Sequence, residues 1–152
     1  MRTTVGFYGI GVYHPKVSEN IGTLWRHAWL YGADFIFTVG RRYTKQATDT
    51  VKAPMMVPLY HYEDFDDFND HLPFGCPIVC VELAPKAAAL PDVTHPDRAA
   101  YLLGAEDHGI PAALLVGRQT IQIPAVRPQS MNVAVAGTLV MYDRFLKRGG
   151  KR

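Results

Sequence analysis

The sequence predicts an α/β fold built on a mostly parallel sheet, and three observations carry the prediction. Short runs of β-branched and aromatic residues recur at 5–12, 34–39, 77–83, 100–103 and 119–123, the composition of half- or fully buried strands. Segments with helical spacing of apolar residues fall between and after them, the alternation that gives crossover connections and a parallel sheet. The run 77–83, PIVCVEL, is apolar almost without interruption, as a strand covered on both faces must be. No repeat, linker or low-complexity stretch divides the chain, so its 152 residues are expected to form one domain over 1–152.

In chain order, VGFYGIGV at 5–12 reads as a buried first strand that stops at the turn-prone His14-Pro15. Gly9, Gly11 and His14 give GxGxxH after that strand, which imitates a dinucleotide fingerprint. The third glycine, which allows close helix–strand packing, is missing, so a dinucleotide site is rejected. Ser18 is placed to cap a helix carrying Leu24, Ala28 and Tyr31 on one face and ending at Gly32. A second strand at 34–39 leads into a basic loop, and 55–60, preceded by Pro54 and interrupted by Pro58, is at best an edge strand. Phe65, Phe68 and Leu72 mark a short amphipathic helix. After the central strand, residues 86–89 are expected to turn helically before Pro91, and 100–103 and 119–123 to be further strands. A final helix over 132–147 closes the domain.

Composition narrows the function. Hydrophobic residues make up 48% and charged residues 20%, which excludes extended disorder. Cys76 and Cys80 lie in an apolar run with no metal-spaced partners and read as buried thiols in a reducing compartment. There is no charged-then-apolar leader and no apolar run of about 18 residues, so a soluble, cytoplasmic protein without a membrane partner is expected. His14, His27 and His108 are not at metal spacing, so no metal is expected and surface or core roles are assigned to all three. A net charge of +2 neither demands nor excludes nucleic acid. Basic residues do cluster: Arg41, Arg42 and Lys45 around Tyr43; Arg118 and Arg127 about a later loop; Arg144, Lys147, Arg148, Lys151 and Arg152 near the C-terminus. Each cluster fits either a solvated face or an RNA contact.

Ligands of parallel sheets sit beyond the C-terminal ends of the strands. Three such ends are distinctive here: 81–83, the glycine-bounded turn Gly104 to Gly109, and 124–130. The two glycines admit positive φ and close approach of backbone to a ligand. Ser130 stands where a helix N-cap would, with Asn132 opening the helix. That helix is apolar on more than one face and contains Gly137, which costs about 1 kcal/mol unless tight packing offsets it. It is expected to be buried between its own domain and a second subunit.

At this point a family resemblance appears. NIGTLWRHA at 20–28, LLGAEDHGIP at 102–111 and IPAVRPQSMNVAVA at 123–136 resemble, in order, the three motifs of the SpoU (TrmH-type) branch of the SPOUT methyltransferases, and the chain looks like a small, single-domain, TrmL-like member. The resemblance implies an α/β fold with helices on both faces and a C-terminal deep trefoil knot, an exception to the no-knot rule. It also implies S-adenosyl-L-methionine (SAM) as cofactor, a homodimer through the knot region and last helix, and methyl transfer to a ribose 2′-hydroxyl of RNA, tRNA before rRNA. Carried over by position, Asn20, Arg26, Glu106, Ser130 and Asn132 are the candidate catalytic residues. Leu83, Gly104, Glu106, Gly109, Ile123, Ser130 and Met131 are the candidate cofactor contacts, and Arg26, Arg41, Arg42, Lys45 and Arg127 the candidate RNA contacts.

The chemistry accounts for these residue types. A ribose hydroxyl must be polarised or deprotonated as it attacks a methyl in line. Arg26 is a poor proton acceptor because a guanidinium pKa exceeds about 12, so two roles stay open for it, a transient base or a charged clamp on the target phosphate. Glu106 is suited to orient that guanidinium. Asn20, Ser130 and Asn132 are each suited to capping, to substrate contact, or to both.

Overall fold

The apolar runs become strands, and all of them point the same way. A computed structural model describes residues 5–43, 53–105 and 107–149. In it β1 (Phe7–Tyr13), β2 (Phe35–Val39), β3 (Leu59–Tyr62), β4 (Ile78–Val81), β5 (Ala88–Ala89), β6 (Arg98–Gly104) and β7 (Gln119–Gln122) form one sheet in the order β3-β2-β1-β6-β4-β7-β5. Every pairing is parallel, and the strand ends at Tyr13, Val39, Val81, Gly104 and Gln122 share one edge. Side chains alternate across β6. Ala99, Tyr101 and Leu103 face a core shared with α1 (Ser18–Leu30), α2 (Ala53–Met56) and α5 (Val133–Arg144). Ala100 and Leu102 face a second core with α3 (Phe65–Asp70), and Leu114 and Leu115 of α4 (Ala112–Leu115) pack against it. Helices therefore cover both faces, and among the described residues none is long and apolar enough to cross a membrane.

Glycines decide how closely these layers meet. A Cβ on Gly9 would stand 2.2 Å from the Phe35 ring, and one on Gly11 2.2 Å from the Phe37 carbonyl oxygen. The GxGxxH decoy thus exists to seat the two aromatics of β2. Gly137 does the same for helices: a Cβ there would lie 2.5 Å from Leu24 and 2.9 Å from Leu103, so α5 settles against both α1 and β6. The helices run side by side in the same direction, from the Asn20–Asn132 hydrogen bond at one end (3.0 Å) to Tyr31 packed on Tyr142 and Phe145 at the other. Gly32, at φ +75°, ends α1 as expected.

The opposite edge of the sheet is closed by charge. Arg144 is fully buried. It donates from Nε to the Val5 carbonyl (3.0 Å), from Nη1 to the Pro96 carbonyl (2.7 Å) and the Tyr101 hydroxyl (3.0 Å), and from Nη2 to the Asp97 carbonyl (2.9 Å). Its guanidinium also lies 4.8 Å above the Tyr8 ring, a favourable cation–π arrangement. Buried His95 extends the chain of bonds. Its Nδ1 accepts from the Tyr101 hydroxyl (2.6 Å) and its Nε2 donates to Asp143 (2.7 Å), an assignment of tautomer that leaves each group one partner of the right kind. Among the described residues no buried side-chain nitrogen or oxygen lacks a partner.

Several local expectations are corrected. Val17, not Ser18, is the N-cap of α1, and it offers no side-chain cap. Residues 53–56 form a helical turn, and the edge strand starts later, at Leu59. The turn expected at 86–89 instead delivers a two-residue strand that pairs with β7. Helix α4 had no sequence signal. The last helix begins at Val133 with Asn132 as its cap, and beyond Arg144 it loosens into a π-helical segment, Phe145–Gly149.

Burial holds the His95 imidazole below its ordinary pKa, outweighing the pull of Asp143. The folded protein therefore takes up this proton less readily than the unfolded chain, in which histidine titrates near ~6.5. Stability is present above that pH and lost as the pH falls below it. Calorimetry between pH ~7.5 and ~5.5 should show the melting temperature dropping, and a His95→Gln variant should show a flatter profile; equal slopes would remove His95 as the cause.

Candidate active site

Three loops that leave parallel strands at the shared edge close around one cavity of about 500 Å³, within the size range of small-molecule sites. The loop after β4 supplies Glu82, Leu83, Ala84 and Pro85. The loop after β6 supplies Gly104, Ala105, His108, Gly109 and Ile110. The loop after β7 supplies Ile123, Gln129, Ser130 and Met131, and the first turns of α5 add Val133 and Ala136. Most of this lining is aliphatic side chain or bare backbone, and Glu82 is the one acid among the described lining residues.

The geometry of the middle loop follows from its glycines. Gly109 sits at φ +60°, a conformation costly for any residue with a Cβ, and its N–H closes the turn onto the Ala105 carbonyl at 2.9 Å. A Cβ on Gly104 would come within 2.7 Å of the Gly109 Cα, and a Cβ on Gly109 within 2.4 Å of Glu82 Oε2. The two glycines therefore leave room for each other and for the carboxylate. Glu82 fills that room and accepts from Ile110 N–H (2.7 Å) and Leu83 N–H (3.0 Å). From the far side, Lys16 pairs with Asp107, which holds that carboxyl below the usual range and ties the β1–α1 connection to the same loop.

Asn132 builds the rim. Its Oδ1 accepts from Ala134 N–H (2.9 Å) and Val135 N–H (3.1 Å), capping α5, while its Nδ2 donates to Asn20 Oδ1 (3.0 Å). One amide thus fixes the start of α5 against the start of α1. Its neighbours Met131 and Val133 are both in the cavity wall, so the pair stands beside the cavity mouth. The positive ends of the backbone dipoles of both helices point toward the same region.

Of the residues singled out in the sequence, the structure brings Leu83, Gly104, Gly109, Ile123, Ser130 and Met131 to this one wall, with Asn20 and Asn132 beside it. Ser130 is an exposed wall residue and does not cap the helix. Arg26 is not brought in. It is exposed on α1, about a third of a turn round the helix from Asn20, and makes no hydrogen bond or ion pair with the described residues. Arg41 and Arg42 are exposed just past the end of β2, on the cavity edge of the sheet, and Arg42 pairs with Glu63 (3.1 Å). Arg127 is exposed in the loop after β7. Glu106 and Lys45 lie outside the described residues. Sequence reasoning placed 81–83 and 104–109 at the ligand side without singling out Glu82 or His108, both of which line the wall. Glu82 had one available signal, a lone acid ending an otherwise apolar strand. Among the described residues no group of His, Cys, Asp or Glu is arranged to hold a metal ion.

Comparison with known proteins agrees with this architecture. A family model described as the SpoU rRNA Methylase family matches residues 9–142. No curated protein sequence is matched. Among solved structures, one described as giving insights into the 2-OH methylation of C/U34 on tRNA superposes with a TM-score of 0.82 at 23% identity, covering 97% of this chain and 99% of its own. An AdoMet-bound rRNA methyltransferase from Sinorhizobium meliloti gives 0.79 at 23% identity, covering 96% of this chain and 58% of its own. A TrmH/SpoU tRNA modifying enzyme from A. aeolicus gives 0.79 at 16%, covering 97% and 76%. At these identities the likeness establishes the fold.

Replacing Asn132 tests the rim directly. Asn132→Ala should lower stability by about 1–2 kcal/mol in urea unfolding, for the lost cap and the lost bond to Asn20. Asn132→Ser, which keeps a cap acceptor but cannot reach Asn20, should recover about half of that. Equal losses in the two variants would show that the cap contributes nothing.

Proposed function

The chain belongs to the SpoU rRNA methylase family of RNA methyltransferases, and from that premise we propose that it transfers a methyl group from SAM to a ribose 2′-hydroxyl of RNA, with tRNA favoured over rRNA. The observation that carries the reading is the convergence of three strand-end loops on one backbone-lined cavity whose rim is the Asn20–Asn132 pair. The fit to SAM rests on this cavity itself. Its aliphatic walls suit an adenine ring, the Gly104–Gly109 cradle lets a ligand approach main-chain groups, and its acid offers hydrogen-bond acceptors to a ligand. Leu83, Gly104, Gly109, Ile123, Ser130 and Met131 would hold it. When bound, SAM would supply an electrophilic methyl group on a sulfonium; transfer to the 2′-oxygen would break the S–CH3 bond, release neutral S-adenosylhomocysteine and pass the hydroxyl proton to water.

What remains for the chain's own residues is to place that oxygen. Asn20 and Asn132 present amide groups at the mouth of the cavity and can hold the ribose in line. Arg26, exposed and with no partner among the described residues, is available to clamp the target phosphate, a task suited to a permanently charged fork. Glu106 then orients it. Arg41, Arg42 and Arg127 extend the positive surface along the same edge, where they would meet the RNA backbone. The tRNA preference is supported by the neighbour of nearly equal length, whose own subject is methylation at a tRNA nucleotide.

The proposal includes a homodimer. Val135, Leu139, Tyr142 and Leu146 are 51%, 38%, 45% and 55% exposed and recur every three or four residues. They form an apolar seam along the side of α5 turned away from its own core, of the kind that packs against another helix. The C-terminal trefoil threading belongs to the same proposal, as does a cytoplasmic setting where tRNA is available.

Transfer of tritiated methyl from SAM to unmodified tRNA and rRNA, followed by digestion to nucleosides, should place the label on a ribose of tRNA. Label on a base, or none, would overturn the reading. Arg26→Ala should lower turnover by about 10²–10³-fold with SAM affinity unchanged. Leu139→Lys should shift the protein from dimer to monomer in sedimentation at micromolar concentration, and an unshifted dimer would move the interface elsewhere.

A further inference from the structure

We propose that Glu82 is a specificity-determining residue of this cavity, holding the cis-diol of the cofactor's ribose. The inference rests on the SAM reading above and goes beyond it by assigning a role to a residue that the motifs leave out.

The argument starts from what Glu82 already does. Its main-chain N–H continues the ladder between β4 and β7 by donating to the Ile121 carbonyl at 3.0 Å. The side chain's origin is therefore fixed at the end of a central strand. Its Oε2 accepts from Ile110 N–H at 2.7 Å and its Oε1 from Leu83 N–H at 3.0 Å. The carboxylate thus bridges the first and second loops of the cavity, one oxygen on each. An ionised carboxylate has about four acceptor positions, so each oxygen keeps one for a ligand. The missing Cβ atoms of Gly104 and Gly109, which would stand 2.9 Å and 2.4 Å from Oε2, make room for the carboxylate, and Glu82 stays partly exposed in the cavity wall.

A ligand group that matches two adjacent acceptors on one carboxylate must offer two adjacent donors. A vicinal diol does so, and an acid at the end of a parallel strand holds a ribose hydroxyl in this manner in dinucleotide-binding sheets. A sulfonium carries charge but no donor hydrogen. A purine amine presents its two hydrogens on different edges of the ring. An ammonium fits the charge, and it is the alternative that the experiment separates. Because the ribose links adenine to the rest of the cofactor, a grip on its diol would fix how far the ligand enters the cavity.

The test is a double-mutant cycle read by calorimetric titration. Wild-type protein and Glu82→Gln are titrated with SAM, with S-adenosylhomocysteine, and with the 2′,3′-dideoxy analogue of the latter, after thermal melting has shown that the variant folds. Wild type should bind the dideoxy analogue about 10–100-fold more weakly than S-adenosylhomocysteine, the worth of charge-assisted hydrogen bonds. In Glu82→Gln that factor should shrink to about 3-fold or less. If the variant loses affinity for all three ligands by the same factor, Glu82 only ties the loops and the proposal fails. If SAM loses about 10-fold more than S-adenosylhomocysteine, the carboxylate reads positive charge instead and the proposal also fails. Binding of neither natural ligand by wild type would overturn the SAM reading itself, and with it this one.

Discussion

One constraint shapes the molecule: seven strands run in a single direction, so every strand-to-helix connection on the far side of the sheet emerges at the same edge. Loops separated by scores of residues are forced into proximity there, which is why a cavity can be walled by residues from 81 to 136. The opposite edge receives only helix ends and strand starts, and it carries the buried Arg144 and His95 network instead. The sheet thus separates two jobs. Recognition chemistry collects where chain direction delivers backbone and glycine, and mechanical closure collects where Arg144 gathers the carbonyls of Val5, Pro96 and Asp97.

The buried cation is an unusual choice for closure, since burying a charge without compensation costs several kcal/mol. Here four hydrogen bonds and an aromatic face meet one guanidinium. Every partner except the tyrosine hydroxyl is a main-chain carbonyl, and the Asp97 carbonyl also accepts from Phe7 N–H at 3.0 Å. Arg144 and those carbonyls satisfy one another. Gly6, whose absent Cβ would fall 2.7 Å from Nη2, shows that the backbone has been fitted around the guanidinium.

The sheet, its parallel character, the two long helices and the glycine-bounded loops were legible in the sequence because each is a periodic or compositional signal extending over many residues. The misreadings lie where single contacts decide. Residues 88–89 form a strand because β7 offers them an edge, a tertiary fact that local turn propensity cannot carry. Asn132 caps the last helix although Ser130 has the better preceding context, because the helix starts where Asn132 can also reach Asn20. Glu82 escaped notice as a lone acid with no spacing pattern around it. Arg26, read from its motif, keeps its proposed role, and its place on α1 away from the cavity of its own chain follows from the helix pitch. Six residues on from Asn20 cannot share its face.

The wiring of Arg144 also bears on how the chain acquires its structure in time. The wall residues 129–136 and the cation that fastens the first strand both arrive after β7, and the bond from Arg144 to Val5 spans 139 positions. A nascent polypeptide therefore exposes an unfastened β1 and a half-built cleft until its final helix has left the ribosome. Contacts of such sequence separation make for slow, late assembly, and partially synthesised molecules are the ones most exposed to proteolysis and to chaperones.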